Sequence, residues 1–274
     1  MRFESWSKTD IGLVRESNQD HVGCFPDLGL FVVADGMGGH ADGEIASGMA
    51  VDILRDAYAG EDDTQPGRTL LPTRGPMAWL ARLGLGNTGK RDEELARLEV
   101  ERLAGAIEEA NRRIFQRGHE DAAAATRAMG TTVVAVVLHE WSKRAAWAHV
   151  GDSRLYRLRD GQLELLTADH TRFGEPYRNG GTVPLDLPHT NQLTSALGVG
   201  PDVVVAVGCA EIRGGDVFLL SSDGVTGLLP AETIAQVLGD MPTPGQAGEE
   251  LVKRALTAGG GDNASVVVVH VRAD

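Results

Sequence analysis

The stretch TTVVAVVLHEWSKRAAWAHVGDSRLYRLRDGQLELL, residues 131–166, indicates the fold because it holds four strand signals in succession. They lie at Thr131–Leu138, Ala145–Val150, Arg154–Leu158 and Gln162–Leu166. Arg159-Asp160-Gly161 supplies a tight hairpin turn between the last two. Strands that follow one another without intervening helices are typical of antiparallel sheets.

Further strand and helix patterns lie on both sides of this stretch. Strands are predicted at Val22–Phe25, Leu28–Ala34, Val203–Val207, Val217–Leu220 and Ala264–Val271. Helical spacing of apolar residues predicts helices at Glu44–Tyr58, Asp92–Phe115, Ala231–Leu238 and Gln246–Leu256. The helices do not alternate with the strands. The order therefore predicts an α+β protein in which antiparallel sheets pack together with helices outside them.

Residues 60–91 interrupt the pattern, with three prolines, six glycines and little periodicity. We interpret them as an exposed insertion in a single domain spanning residues 1–274, with a short helix at Met77–Leu85. From Thr64 to Arg91 there are five basic residues and no acidic one. A solvated loop is favoured over a docking site for an acidic partner, since charge runs are usually solvated faces.

The composition limits the function. Acidic residues outnumber basic ones by 39 to 26, which gives a net charge of -13 and disfavours nucleic acid or an anionic membrane as a partner. Only Cys24 and Cys209 occur, so a reducing compartment is expected. Neither a signal peptide nor a membrane-spanning apolar run is recognisable. We expect a soluble, cytoplasmic monomer.

Four aspartates stand next to glycines where apolar runs begin or end: Asp35, Asp152, Asp223 and Asp262. A single Asp-Gly pair is usually just a turn. If these strand ends converge, however, several like charges lie together, which is costly unless cations neutralise them. Oxygen ligands, including the carbonyl of Gly36, select Mg²⁺, Mn²⁺ or Ca²⁺ over zinc.

A pair of such ions gives these carboxylates a chemical purpose. Two metals about 3.5–4 Å apart bridge a water, lower its pKa and direct it at phosphorus. Arg15 lies just upstream in RESNQD, and its guanidinium suits bidentate capture of phosphate oxygens. Considered alone, Arg15 is a surface residue, but together with the aspartates it is predicted to bind phosphate.

Nine different short motifs occur along the chain in a recognisable order. They are TDIG at 9–12, RESNQD at 15–20, VADGMGGH at 33–40, MGTT at 129–132, GDSRLYRLRDG at 151–161, ADHT at 168–171, NQLTSALG at 191–198, SSDGVTGL at 221–228 and GDNASVVVV at 261–269. In this order they resemble the type 2C metal-dependent protein phosphatases (the PPM family), above all the bacterial serine/threonine members. The resemblance spans nearly the whole chain.

The resemblance implies a four-layer α/β/β/α sandwich of two antiparallel sheets flanked by helices, with two Mn²⁺ or Mg²⁺ ions between the sheets. By position in the motifs, Asp35 would bridge both ions and Gly36 would offer its carbonyl. Gly36 would bind one of the two ions, and Asp223 and Asp262 would bind the other. Asp152, with Asp223, would form the third, weaker metal site of bacterial members.

The same resemblance implies a reaction. Arg15 would grip the substrate phosphate, and Asp20 would order metal-bound water. A hydroxide bridging the two ions would attack phosphoserine or phosphothreonine in line, with no phosphoenzyme intermediate. The implied partners are phosphorylated proteins, together with a cognate serine/threonine kinase or its targets.

The chain departs from the family pattern at three places. Met37 stands where some members carry a histidine as candidate general acid, so His40 is the nearest substitute, with metal-bound water as the alternative. Gln19 replaces the glutamate of some relatives. Residues 171–191 are shorter than the usual bacterial flap region and loop-like, which affects substrate selection and the third metal site.

Two other functions are compatible with these motifs. One is a catalytically silent relative that binds phosphoproteins, which missing ligands would favour; Asp35, Asp223 and Asp262 are all present. The other is a phosphoesterase acting on small molecules with the same site chemistry. Hydrolysis of phosphopeptides is the reaction that the motifs favour.

Overall fold

The computed structural model describes residues 1–38, 41–59, 88–119, 129–140, 142–178, 181–190 and 192–273. Most of the insertion expected at residues 60–91, including the helix expected at Met77–Leu85, lies outside these ranges and stays a prediction. Among the described residues, no helix combines the length and the apolar composition needed to cross a bilayer.

The described strands form two antiparallel sheets. Their bounds are β1 Arg2–Asp10, β2 Asp20–Phe25, β3 Leu30–Met37, β4 Gly130–Thr131, β5 Val133–His139, β6 Arg144–Val150, β7 Arg154–Arg159, β8 Gln162–Leu165, β9 Ala206–Glu211, β10 Val217–Ser221 and β11 Ala264–Arg272. One sheet has the order β1-β11-β10-β7-β8. The other has the order β2-β3-β5-β6-β9, with β4 paired to β3.

The described helices lie outside the two sheets. They are α1 Ala41–Ala59, α2 Thr88–His119, α3 Asp223–Thr226, α4 Ala231–Asp240 and α5 Pro244–Thr257. Helices α1 and α2 cover the β3 sheet, and α4 and α5 cover the β11 sheet. The layers therefore run α/β/β/α, which confirms the predicted fold class.

Strand β3 shows how the sequence builds the layers. Its side chains point alternately to the two faces of the sheet. Leu30 and Val32 face the helices, whereas Phe31 and Val33 face the opposite sheet. All four side chains are fully buried, and each contributes about 1.5–3 kcal/mol by leaving water. A strand buried on both faces therefore appears in the sequence as a continuous apolar run.

The N-terminal strand β1 was not predicted. Its sequence RFESWSKTD is largely polar, because β1 lies at the edge of its sheet and many of its side chains stay partly exposed. Its backbone pairs with β11 along its whole length, from Arg2 opposite Arg272 to Asp10 opposite Ala264. Pairing through backbone hydrogen bonds does not require apolar side chains, so the pattern of side chains did not indicate this strand.

Most predicted elements agree with the structure to within a few residues at each end, and two elements differ in ways that have a physical reason. The strand predicted at Val203–Val207 is wrong in position, since β9 begins at Ala206 and pairs with β6. Val203 and Val205 pack instead against the helix-covered core, so their apolar character reflects loop packing. Helix α2 begins at Thr88, four residues before its predicted start.

Candidate metal centre

Both sheets bring aspartates to the same end of the sandwich. Asp35 lies near the end of β3, and Asp20 begins β2 directly opposite it in the strand pairing. In the other sheet, Asp223 follows β10 as the first residue of α3, and Asp262 precedes β11. Residues far apart in sequence therefore meet where the sheets face each other.

These residues surround an open cavity of about 250 Å³, which we call the acidic cavity. It is lined by Arg15, Gln19, Asp35, Gly36, Met37, Gly38, Thr132, Asp152, Leu193, Asp223, Asp262 and Asn263. The structure thus brings together six of the residues singled out from the sequence as site residues. Asp20 does not line the cavity but lies behind Asp35. His40 falls outside the described residues.

The electrostatics of Asp35 reflect the crowding of carboxyl groups. Burial raises its pKa well above the ordinary range, and the charges of Asp20, Asp223, Asp152 and Asp262 raise it further, in that order. The side chains of Asp35 and Asp223 are close enough to share a hydrogen bond. Carboxyls this near to each other cannot all ionise without a compensating positive charge.

The neighbouring aspartates respond in the same direction. Burial raises the pKa of Asp20 to about 7, although hydrogen bonds from Ser265 and Ser222 oppose the shift. Burial also raises the pKa of Asp152 to about 7, with the charge of Asp223 as the next cause. For the raised pKa of Asp223, burial again comes first and the charge of Asp262 second.

The donor atoms of the cavity fit a hard divalent cation. One carboxylate oxygen of Asp20 and one of Asp223 are buried and have no hydrogen-bond partner among the described residues. Buried polar atoms normally have partners, so each orphaned oxygen indicates a missing ligand such as an ion or water. The cavity is lined by four carboxylate side chains, and Mg²⁺ and Mn²⁺ prefer oxygen ligands of this kind.

The described side chains do not complete an ion's ligand shell alone. Within the ranges above, no three acidic, histidine or cysteine side chains are grouped so that they could hold an ion by themselves. Mg²⁺ typically takes one or two carboxylates and keeps several waters. Gly36 also lines the cavity. A side chain at Gly36 would collide with the backbone of Gly43 at 2.1 Å, so only glycine fits there.

Arg15 extends from the loop after β1 to the rim of the cavity. Its Nη2 atom donates to Oδ2 of Asp262 at 2.7 Å, and its side chain is half-exposed. This hydrogen bond raises the pKa of the guanidinium, and the charges of Asp35 and Asp223 act in the same direction. Arg15 therefore holds a fixed positive charge beside the acidic cluster.

Asn263 supports the loop that carries Arg15. Its side-chain amide donates to the carbonyls of Ile11 at 2.9 Å and Ser17 at 3.0 Å, and its Oδ1 accepts from the backbone of Gln19 at 2.9 Å. Asn263 lies in the motif GDNASVVVV, directly after Asp262. Its position after a candidate ligand was the available signal, but partners about 250 residues away cannot be found from spacing.

Thr132 supports the backbone of Asp35 in the same way. Its N–H donates to the Asp35 carbonyl at 2.8 Å, and its Oγ1 accepts from the Asp35 N–H at 3.1 Å. The hydroxyl also lies 2.7 Å from that of Ser153. Thr132 belongs to the quoted motif MGTT, but its residue type and spacing alone indicate no role in the site.

A buried ion pair holds the segment that follows β8. Arg154 donates to both carboxylate oxygens of Asp169, at 3.0 Å from Nε and 2.8 Å from Nη2, and its Nη2 also donates to the carbonyl of Leu187 at 2.8 Å. Both charged side chains are almost fully buried. Residues 171–178 and 181–190 form a loop whose only regular element is a 3₁₀ turn at Glu175–Tyr177. The ion pair thus ties this loop to β7.

Comparison with known proteins gives consistent matches over most of the chain. The profile of the family described as protein phosphatase 2C matches residues 14–257. Protein phosphatase PhpP of Streptococcus pneumoniae is 32% identical over 270 residues, covering 96% of this chain and 95% of that protein.

Solved structures agree with the sequence matches. The crystal structure of the Mycobacterium tuberculosis serine/threonine phosphatase PstP/Ppp superposes with a TM-score of 0.76 at 29% identity, covering 100% of both chains. The catalytic domain of PstP in complex with two manganese ions gives a TM-score of 0.73 at 29% identity, covering 99% of both chains.

Proposed function

Since this chain belongs to the protein phosphatase 2C family, we propose that the acidic cavity between the two sheets is its active site. The chain is a metal-dependent serine/threonine protein phosphatase. The observation that carries the assignment is the meeting of Asp35, Asp152, Asp223 and Asp262 around one cavity, with Arg15 at its rim.

We propose that the cavity binds two Mn²⁺ or Mg²⁺ ions. Asp35 and the carbonyl of Gly36 would hold them together with Asp223 and Asp262, and Asp152 with Asp223 would hold a third ion more weakly. The catalytic domain of PstP was solved in complex with two manganese ions, which supports this number. When bound, such ions neutralise phosphate charge and lower the pKa of a water nucleophile.

The chain's own residues bind and orient the substrate. Arg15 would bind the substrate phosphate, since its forked guanidinium suits contact with two phosphate oxygens at once. Asp20 accepts a hydrogen bond from Ser222 through Oδ2 at 2.8 Å, so its unpartnered Oδ1 is left to orient water behind Asp35. His40 stays our candidate for donating a proton to the leaving serine or threonine oxygen.

The protein substrates would carry phosphoserine or phosphothreonine placed there by a cognate serine/threonine kinase. The relatives support this class, because PstP is named as a serine/threonine phosphatase. Profiling against phosphopeptides and small phosphate esters separates a protein phosphatase from a small-molecule phosphoesterase. A strong preference for small esters would contradict the proposal.

The decisive variant is Asp35→Asn. We expect kcat/KM on a phosphoserine peptide with saturating Mn²⁺ to fall by about 10³-fold or more, because the amide would not supply a charged metal ligand. The metal-free variant should be at least as stable as the wild type at pH 8, since one charge has left a repulsive cluster. Activity retained by Asp35→Asn at ordinary Mn²⁺ would remove Asp35 from the site. A wild type that binds phosphopeptides without hydrolysing them would indicate a silent relative.

A further inference from the structure

A second, smaller cavity adjoins the acidic one. It has a volume of about 160 Å³ and is lined by Arg15, Glu16, Ser17, Gln19, Gly38 and Asn263. We call it the Glu16 pocket. Arg15, Gln19, Gly38 and Asn263 line the acidic cavity too. A phosphate held by Arg15 would therefore border both spaces, and the Glu16 pocket would be within reach of a side chain close to the phosphorylated residue.

The walls of the Glu16 pocket are held in place before any substrate arrives. Asn263 binds the loop backbone at Ile11, Ser17 and Gln19 through three hydrogen bonds. At the start of the same loop, the N–H of Leu13 donates to the carbonyl of Gly260 at 2.7 Å. A preformed pocket binds with less loss of conformational entropy than a mobile one.

The lining of this pocket is polar and includes one carboxylate, that of Glu16. Glu16 is exposed and forms no ion pair with any residue that the structure describes. The charge of Arg15 already faces Asp262. The remaining side chains, Ser17, Gln19 and Asn263, are neutral hydrogen-bonding groups. Such a pocket suits a cationic side chain and offers little to an apolar one.

We propose that the Glu16 pocket binds a lysine or arginine side chain that flanks the phosphorylated residue of the substrate. This inference rests on the proposed function, because it assigns the flanking residue relative to a phosphate at Arg15. Glu16 then acts as a specificity-determining residue and takes no part in the chemistry. Since exposed ion pairs contribute about 0.2–1 kcal/mol, the preference over a neutral residue should be at most about fivefold.

The test compares phosphoserine peptides that differ at one flanking position. Arg, Gln or Glu is placed in turn at the two positions before and the two positions after the phosphoserine, and kcat/KM is measured with saturating Mn²⁺. At one of the four positions we expect the wild type to prefer Arg over Glu by about threefold or more. The ratio should shrink at high salt, because salt screens exposed charges.

Two variants test the role of the carboxylate, and each enzyme's own Arg-to-Glu ratio is the readout. Glu16→Gln should abolish the preference, and Glu16→Lys should invert it. Glu232→Lys is the matched control, because it makes the same change of net charge on α4 and lines neither cavity. This control should keep the wild-type ratio.

Equal rates for Arg and Glu peptides in the wild type would overturn the subsite, as would a preference that survives in Glu16→Lys. A preference lost equally in Glu232→Lys would attribute it to overall charge and also overturn the subsite. The proposed function has a separate control. Failure to hydrolyse p-nitrophenyl phosphate as well as every peptide would overturn the active-site assignment itself.

Discussion

At the scale of single residues, the carboxyl groups of the acidic cavity bind protons more tightly than free carboxyl groups do. Asp152 is an example, since burial raises its pKa to about 7 from about 3.9 in an unfolded chain. Its folded state therefore binds a proton more tightly than its unfolded state. This contribution to stability is complete below pH 4 and is lost as the pH rises through 7.

Because the stabilising contribution of Asp152 decreases as the pH rises, we predict how the stability of the metal-free protein depends on pH. Its free energy of unfolding should fall between pH 5.5 and pH 8, and Asp152→Asn should reduce that fall by about 2 kcal/mol, because the amide does not titrate. Urea unfolding in a chelator at the two pH values measures the effect. An identical fall in wild type and variant would contradict the assignment of a raised pKa to Asp152.

Two substitutions of Arg15 separate the effect of its positive charge from the effect of its planar, forked shape. Hydrogen bonds to charged groups contribute about 1.5–3 kcal/mol, so Arg15→Ala should lower kcat/KM on a phosphopeptide by about 10- to 100-fold. Arg15→Lys should recover only part of this loss, because an ammonium lacks the planar fork. The thermal stability of both variants should stay near that of the wild type, since the pair with Asp262 is exposed. Unchanged kcat/KM in Arg15→Ala would show that Arg15 does not touch the substrate.

Residues with a charge of their own were the easiest to find from sequence. Asp35 and Asp223 each follow an apolar run and precede a glycine, which marks the end of a buried strand. Asn263 and Thr132 are neutral, and their roles depend on contacts with Ser17 and with the backbone of Asp35. Contacts between residues so distant along the chain exist only once both sheets have formed.

At the scale of elements, the ion pair between Arg154 and Asp169 joins β7 to the loop after β8. We predict that Asp169→Asn lowers the free energy of unfolding by about 3–5 kcal/mol, because it leaves the buried guanidinium without its counter-charge. Glu101→Gln is the control, since its pair with Arg97 on α2 is exposed and contributes less than about 1 kcal/mol. Urea unfolding at pH 7 measures both variants. Equal, small effects would show that Asp169 does not support the loop.

The elements that sequence could predict are those whose burial follows a simple period. Strands β3 and β11 are buried on both faces, and α5 repeats its apolar residues at helical spacing, so all three were found. Strand β1 escaped because edge position and backbone pairing do not require apolar side chains. The apolar run at 203–207 led to a wrongly placed strand, because valines in a loop can also be buried against the core.

At the scale of the whole molecule, neither sheet alone holds the proposed ligands. Asp35 belongs to the sheet of β3, whereas Asp223 and Asp262 adjoin β10 and β11 in the other sheet. An ion bound by residues from both sheets stabilises the folded state by about 2.7 kcal/mol at a hundred times its dissociation constant. We predict that the unfolding temperature rises with Mn²⁺ concentration in the wild type and much less in Asp35→Asn. Calorimetric scans across a Mn²⁺ series measure this, and equal responses would contradict ligation by Asp35.

If the proposed ligands bind as assigned, an ion held by Asp35 together with Asp223 or Asp262 would be a reversible cross-link between the two sheets. Metal supply in the cell would then govern the lifetime of the enzyme as well as its turnover. At low concentrations of divalent ions the protein would unfold more often and be degraded sooner. The abundance of the phosphatase would then depend on the concentration of divalent ions in the cell.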